Sequence, residues 1–283
     1  MLIFPGLPPP IPASMSTSES IDLTEADLER QPDIQVEGGV CQIADMKVVT
    51  PDTLLVSNYS KKCVQMVDSR NGRVLSEVQL RYGPGRMCLT DRTTAAVIMG
   101  KKIQMIQVKD NTLTKGRELS VSGDMWGITF CKNSLVVSYD HSPWIEVVSM
   151  EGKVLQQFDQ TGKSQHFKYP WFMCTTSDGS VLISDYETNT ITRVDASLNI
   201  MQTFTSPLLQ GPHGIIAVTE DQILVCSWRN NSLLVLQPST NTVTTLLGKD
   251  VLIDTPHSLA YCPDQKKVYV AQHYCIIKVY QIT

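Results

Sequence analysis

Two groups of residues in this 283-residue chain have side chains suited to binding or reaction. One group follows a recurring proline or its equivalent: Arg86, Trp126, Trp171, His213 and His257. The other lies at polar tips between two apolar runs: Tyr59, Lys61, Lys62, Lys101, Lys102, Tyr139, His141, Tyr186, Trp228, Arg229, Asn231, His273 and Tyr274. Aromatic rings provide stacking surface, and Arg and Lys pair with carboxylate or phosphate. His213 and His257 occupy matching repeat positions, which is the beginning of a zinc site. The third such position holds Trp171 on one side and Arg86 on the other. Neither ligates zinc, and a catalytic zinc takes three protein ligands. These positions also lack the converging carboxylates that calcium requires. The nucleophile-elbow pattern G-x-S-x-G and the zinc motif H-E-x-x-H are both absent. The residues therefore point to recognition without catalysis and without a cofactor. Tyr59, Tyr139, Tyr186 and Trp228 recur at one repeat position, a pattern that packing also produces. Trp126 and Trp171 have the alternative role of plugging a channel. Asp185 is expected to cap a turn by accepting backbone N–H bonds.

The elements that position these residues follow from a repeat. Six β-rich runs begin at Leu54, Ala95, Leu135, Val181, Ile223 and Val268, separated by 41, 40, 46, 42 and 45 residues. A polar turn and a second alternating run follow each, beginning at Cys63, Ile103, Trp144, Ile191, Leu233 and Ile276. Such a pair is a hairpin. A further strand comes before the hairpin, often opened by proline, as in GPGRMCL, YPWFMCT and GPHGIIAV. Another follows it in five of the six repeats, as in GRVLSEV from Gly72 and the looser REL-SV from Arg117. Four short strands per ~40 residues describe a propeller blade. The expected fold is all-β, a six-bladed β-propeller over residues 32–283. The alternatives are an open stack or two small sandwiches. The last repeat lacks its outer strand, so Asp33–Glu37 (DIQVE) is expected to supply it and close the ring, removing exposed sheet edges.

Composition separates a tail from this body. Residues 1–39 hold seven acids, one base and six of the 15 prolines, a net charge of −6 that leaves +2 on the remainder. Residues 1–31 are expected to be a disordered Pro/Ser-rich acidic tail, with a short helical turn over Leu23–Arg30 capped by Thr24. No apolar run reaches the length of a membrane span, and no positively charged region precedes the apolar start, so no signal peptide is expected. The eight cysteines include no C-x-x-C pair. They are expected to be buried free thiols in a cytoplasmic protein.

The repeat pattern resembles the NHL repeat: Pro-x-Gly-Ile-x-Val, a polar turn, then hydrophobic-Val-x-Asp/Ser and a second arm. The best copies are GPHGIIAVTEDQILVCSWRNNSLLVL (Gly211–Leu236) and YPWFMCTTSDGSVLISDYETNTITRVD (Tyr169–Asp195). WD-repeat and kelch propellers fit less well, since there is no Trp-Asp dipeptide and only one Gly-Gly, at Gly38. The chain is similar to the C-terminal propeller of tripartite-motif ubiquitin ligases, without a RING or B-box. The resemblance implies a binding module that recruits a protein partner or ubiquitination substrate on one face, or single-stranded RNA on the same face. The bases at the tips form only a partial arc, in blades one and two with Arg229 in blade five. Protein is therefore favoured over RNA. The resemblance also extends to NHL-like lyases that hold zinc on a ring of histidines, which the Trp171 and Arg86 positions disfavour.

Overall fold

A computed structural model describes residues 21–39, 41–140, 143–158, 166–248, 254–272 and 275–283. His141, His273, Tyr274 and the first 20 residues of the expected tail lie outside these. Among the described residues there is no helix, so none is long and apolar enough to cross a membrane.

The first strand, β1 (Leu28–Gln35), belongs to the last blade. Blade 1 is β2 (Ile43–Thr50), β3 (Thr53–Asn58), β4 (Cys63–Asp68) and β5 (Val74–Gln79). Blade 2 is β6 (Met87–Asp91), β7 (Thr94–Met99), β8 (Lys102–Lys109) and β9 (Thr112–Ser120). Blade 3 is β10 (Met125–Cys131), β11 (Ser134–Tyr139), β12 (Ile145–Ser149) and β13 (Val154–Gln157). Blade 4 is β14 (Pro170–Thr175), β15 (Val181–Asp185), β16 (Thr190–Val194) and β17 (Ile200–Thr205). Blade 5 is β18 (Pro212–Ala217), β19 (Ile223–Ser227), β20 (Ser232–Gln237) and β21 (Thr242–Leu247). Blade 6 is β22 (Ser258–Cys262), β23 (Lys267–Ala271) and β24 (Ile276–Ile282), with β1 as its outer strand. The six four-stranded antiparallel sheets form a ring, with β2, β6, β10, β14, β18 and β22 innermost and in mutual contact. This is a six-bladed β-propeller.

The core lies between blades. Both faces of each blade meet a neighbour, so the middle strands are buried along most of their length and not only at alternate residues. Every residue of β3, β4, β7, β15 and β19 is buried. One shared cluster joins Leu55, Val64 and Met66 of blade 1 to Met87, Ala95 and Val97 of blade 2. Each fully buried Leu, Ile or Val contributes about 1.5–3 kcal/mol relative to exposure. The outer strand β13 is exposed at all four positions.

Polar latches fix the angle between blades. Ser57, Ser138 and Ser184 occupy one repeat position, near the end of the second strand. Their hydroxyls donate to carbonyls of the next blade: Gly85 at 2.8 Å, Pro170 at 2.9 Å and His213 at 2.9 Å. Blades 2, 5 and 6 carry Ile98, Cys226 and Ala271 there. Gly214 lets two inner strands approach closely. A Cβ on it would sit 2.9 Å from the carbonyl of His257, which accepts the Gly214 N–H at 3.0 Å.

The closing strand differs from expectation. It spans Leu28–Gln35 instead of Asp33–Glu37, pairing with β24 from Leu28↔Ile282 to Gln35↔Ile276. A register shift between Gln31 and Ile34 absorbs Pro32, which has no N–H for the ladder. That break in alternation is why the first half of the strand was unreadable. The Leu23–Arg30 helical turn is likewise corrected: 23–25 form a turn and 28–30 are strand. Asp22, not Thr24, is the cap, its Oδ1 accepting the Thr24 N–H at 2.9 Å and the Thr24 hydroxyl at 2.7 Å. Residues 21–31, expected in the tail, therefore lie on the propeller. Leu23 is 0% exposed, wedged among Leu224, Leu233 and Val235 of blade 5 and Val268 and Tyr280 of blade 6. The Lys278 ammonium reaches Asp33 at 2.6 Å across the closing pair. The eight cysteines are free and all are buried except the half-buried Cys174. Burial pushes the thiols of Cys63, Cys88 and Cys174 up to about 12.

Candidate ligand-recognition face

Local irregularity aims the first group of residues. In blades 1, 3, 4 and 5 the pairing of the inner strand shifts register just after its first residue: Ile43/Asp45, Met125/Ile128, Pro170/Phe172 and Pro212/Ile215. A β-bulge leaves a residue unpaired and redirects its side chain. The residues released are Ala44, Trp126, Trp171 and His213. Arg86 and His257 sit at the equivalent points of blades 2 and 6.

Backbone bonds bring the second group to the same face. The residue opening each tip donates its amide to the loop that leads into the same blade: Tyr59 to Gln42 at 2.9 Å, Asp140 to Asp124 at 2.7 Å, Tyr186 to Tyr169 at 3.1 Å and Trp228 to Gly211 at 3.1 Å. A polar residue just before the tip reinforces this. The Asp185 carboxylate accepts the N–H groups of Lys168, Tyr169, Glu187 and Thr188 at 2.7–3.1 Å, the cap expected of it. In blade 5 the Ser227 hydroxyl accepts the Gln210 N–H at 2.9 Å.

Blades 3 to 5 then present one continuous aromatic surface. Trp126 and Trp171 have ring centroids 4.0 Å apart, and Tyr169 lies 5.6 and 5.0 Å from them. The His213 ring stacks on Trp171 at 5.0 Å and 11°, and on Trp228 at 5.6 Å and 19°. Tyr186 stands 5.5 Å from Trp171 and 6.1 Å from Trp228. His213 is only 7% exposed, whereas Trp126, Tyr169, Trp171, Tyr186 and Trp228 are half-buried. Tyr169 was not singled out from the sequence, although it precedes the blade-4 proline directly and so shares the loop of Trp171.

A guanidinium stands at each end of this surface. Arg229 lies 4.2 Å from the Tyr186 ring centroid and 3.6 Å from a Glu187 carboxylate oxygen. Arg86 reaches from blade 2 across to blades 3 and 4, with its guanidinium carbon 5.5, 5.1 and 4.5 Å from the rings of Trp126, Trp171 and Phe172. Burial lowers its pKa to about 10, opposed by the Asp45 carboxylate and Tyr169. Burial raises the pKa of Tyr169, with Asp140 adding to the shift.

The remaining candidates lie elsewhere on the face. Tyr59 is 54% exposed and covers Gly83. The Lys61 ammonium lies 3.5 Å from the carbonyl of Glu37. His257 Nε2 bonds the carbonyl of Ile43 at 2.5 Å, joining blade 6 to blade 1. Tyr139 is buried, its hydroxyl bonded to Glu146. Asp45, not singled out from the sequence, organises this sector. It accepts the Met87 N–H at 2.9 Å and the Ser258 hydroxyl at 2.7 Å, and pairs with Lys47 at 3.0 Å. One carboxylate thereby ties three blades. Among the described residues no group of three or more His, Cys, Asp or Glu is arranged to hold a metal ion.

No family model matches the chain, and no curated protein matches it by sequence. Solved structures do match in shape. A streptogramin B lyase aligns over 93% of this chain and 100% of its own, at 14% identity and a TM-score of 0.64. The virginiamycin B lyase of Staphylococcus aureus aligns over 91% and 89%, at 16% identity and 0.64. A Bacteroides thetaiotaomicron protein of unknown function reaches 0.71 at 13% identity, over 89% of this chain and 72% of that one. The likeness is one of fold.

Proposed function

We propose that the face carrying Trp126, Trp171, His213, Tyr186 and Trp228 is a protein-recognition surface and that the propeller has no catalysis of its own. The observation that carries this reading is the unbroken ring-to-ring contact from Trp126 to Trp228, half-buried and flanked by Arg86 and Arg229. Half-buried Trp, Tyr and Arg in contact are the composition of interface hot spots. The charge beside them is mixed: Arg229 pairs with Glu187, and Asp124 lies against Gly100 beside Lys101. A phosphate backbone calls for clustered bases. In keeping with the NHL-like repeats, the partner is a protein recruited to a ubiquitin ligase of the tripartite-motif type, in the cytoplasm.

Single-stranded RNA is the second reading, favoured by the near-parallel Trp171, His213 and Trp228 rings, which have the form of a base-stacking platform. A lyase reading, suggested by the names of two structural neighbours, has less behind it. The His257 Nε2 is engaged by a carbonyl, and His213 is sandwiched between two indoles.

The test offers the purified protein a random dodecapeptide display library and, separately, a random single-stranded RNA pool at low and physiological salt. The proposal expects peptides enriched by the wild type and lost with Trp171→Ala plus Trp228→Ala. No enrichment above an unrelated propeller would end it. RNA retention that falls steeply with added salt would replace it with the second reading.

A further inference from the structure

Arginines on this propeller commonly have carboxylate partners. Arg30 pairs with Asp33 at 3.2 Å, Arg70 with Asp68 at 2.9 Å, Arg193 with Asp178 at 2.6 Å and Arg229 with Glu187 at 3.6 Å. Arg86 is more enclosed than the exposed Arg70 and Arg229, yet its guanidinium has no ion pair and no hydrogen bond among the described residues. Its Nε is fully enclosed and lacks an acceptor, as does the indole N–H of Trp171, whose ring lies 5.1 Å from the guanidinium carbon. Asp45 is not available to it, being occupied by Lys47, Ser258 and the Met87 amide. An enclosed cation between indoles, beside a second N–H without an acceptor, is complementary to an incoming anion.

We propose that Arg86, Trp126 and Trp171 form a subsite for the carboxylate of an Asp or Glu side chain carried within an extended partner segment. This deepens the protein-recognition reading and rests on it. A single carboxylate neutralises one guanidinium. A phosphate dianion would leave a net charge in a place poor in water, which is costly. The aromatic surface continues from Trp171 through His213 to Trp228, so a segment crossing it has chain on both sides of its acid. That geometry suits an internal side chain better than a chain terminus. The cost falls on the free protein, because an unpaired enclosed cation destabilises the empty state.

The test uses the peptide selected above, in two versions that differ only as Glu or Gln at the acidic position, against wild type and Arg86→Met. Wild type should bind the Glu version about 30-fold more tightly, the scale of one hot-spot contact. Arg86→Met should bind both versions within about threefold of each other, a coupling that a double-mutant cycle isolates. Thermal unfolding of Arg86→Met should begin no lower than that of wild type, because the substitution removes a buried charge and keeps its volume. If Arg86→Met fails to fold, Arg86→Lys provides the same cycle, with the Glu preference reduced but present. Selected peptides without an acid, or a Glu preference unchanged in the variant, would overturn the subsite while leaving protein recognition intact. Preference only for peptides ending in a free carboxylate would overturn the internal side chain. Failure to select any peptide would remove both readings.

Discussion

The mouth of the propeller has two unlike halves built on one repeat. Blades 3, 4 and 5 place Trp126, Trp171 and His213 at the bulged position, and these rings cover one another. Blades 6, 1 and 2 place His257, Ala44 and Arg86 there. In that half the side chains of His257 and Asp45 bind the neighbouring blades through the Ile43 carbonyl, the Met87 amide and the Ser258 hydroxyl, while Arg86 leaves its own blade for Phe172 of blade 4. The same backbone repeat thus carries a continuous aromatic surface on one side and the closure of the ring on the other. The half that closes the ring cannot rely on short-range sequence, because β1 pairs with β24 across nearly the whole chain. It is held by buried polar bonds and by Leu23.

This division predicts opposite phenotypes. The largest effect is expected from removing residues 21–36, which deletes β1 and the Leu23 wedge. Loss of a cooperative unfolding transition is the expected result, and a truncated chain that melts like the intact one would break the closure argument. Next comes Asp45→Ala, which strands the Lys47 cation, the Ser258 hydroxyl and the Met87 amide. Urea titration should show a loss of about 3–5 kcal/mol. Leu23→Ala should cost about 2–4 kcal/mol by the same measurement, through the cavity it leaves between blades 5 and 6. On the aromatic side, Trp171→Ala should cost about 1–2 kcal/mol of stability yet weaken peptide capture more than tenfold. Equal losses in both would erase the distinction between the halves.

The smallest effect concerns acid. Asp178 is desolvated, which raises its pKa, but bonds from Thr176 and Ser180 and the Arg193 cation outweigh this and hold it well below 3.8. A lowered folded value means stabilisation that is complete well above pH 3.8 and fades as the pH falls through the folded value. The stability gap between wild type and Asp178→Asn should therefore be widest near pH 7 and narrow between about pH 4 and pH 2. A gap independent of pH would assign it to packing.

Much of the architecture was legible because a propeller repeats. Six apolar runs at nearly equal spacing name the second strands, and their lack of alternation follows from burial on both faces. The start of β9 was misplaced. It begins at Thr112, before the expected Arg117, because TLTKG has few apolar residues and its outer strand buries little. At the mouth, the prolines before Trp171 and His213 and the equivalent repeat position at Trp126 marked the residues that the bulges release, so the three could be named as neighbours. Tyr59 shares its repeat position with Tyr186 and Trp228 but does not join the rings, since position in a repeat does not say which way a side chain turns.

The amino-acid order alone determined the number of blades, the residues at the bulged position of the mouth and the need for a borrowed strand, because hydrophobic periodicity and turn chemistry are local properties. Only the tertiary structure decided that Arg86 crosses to another blade, that Asp45 binds three blades and that Leu23 belongs to the core. Each of these depends on contacts between residues far apart in the chain, and curvature of the ring, not spacing, sets those distances.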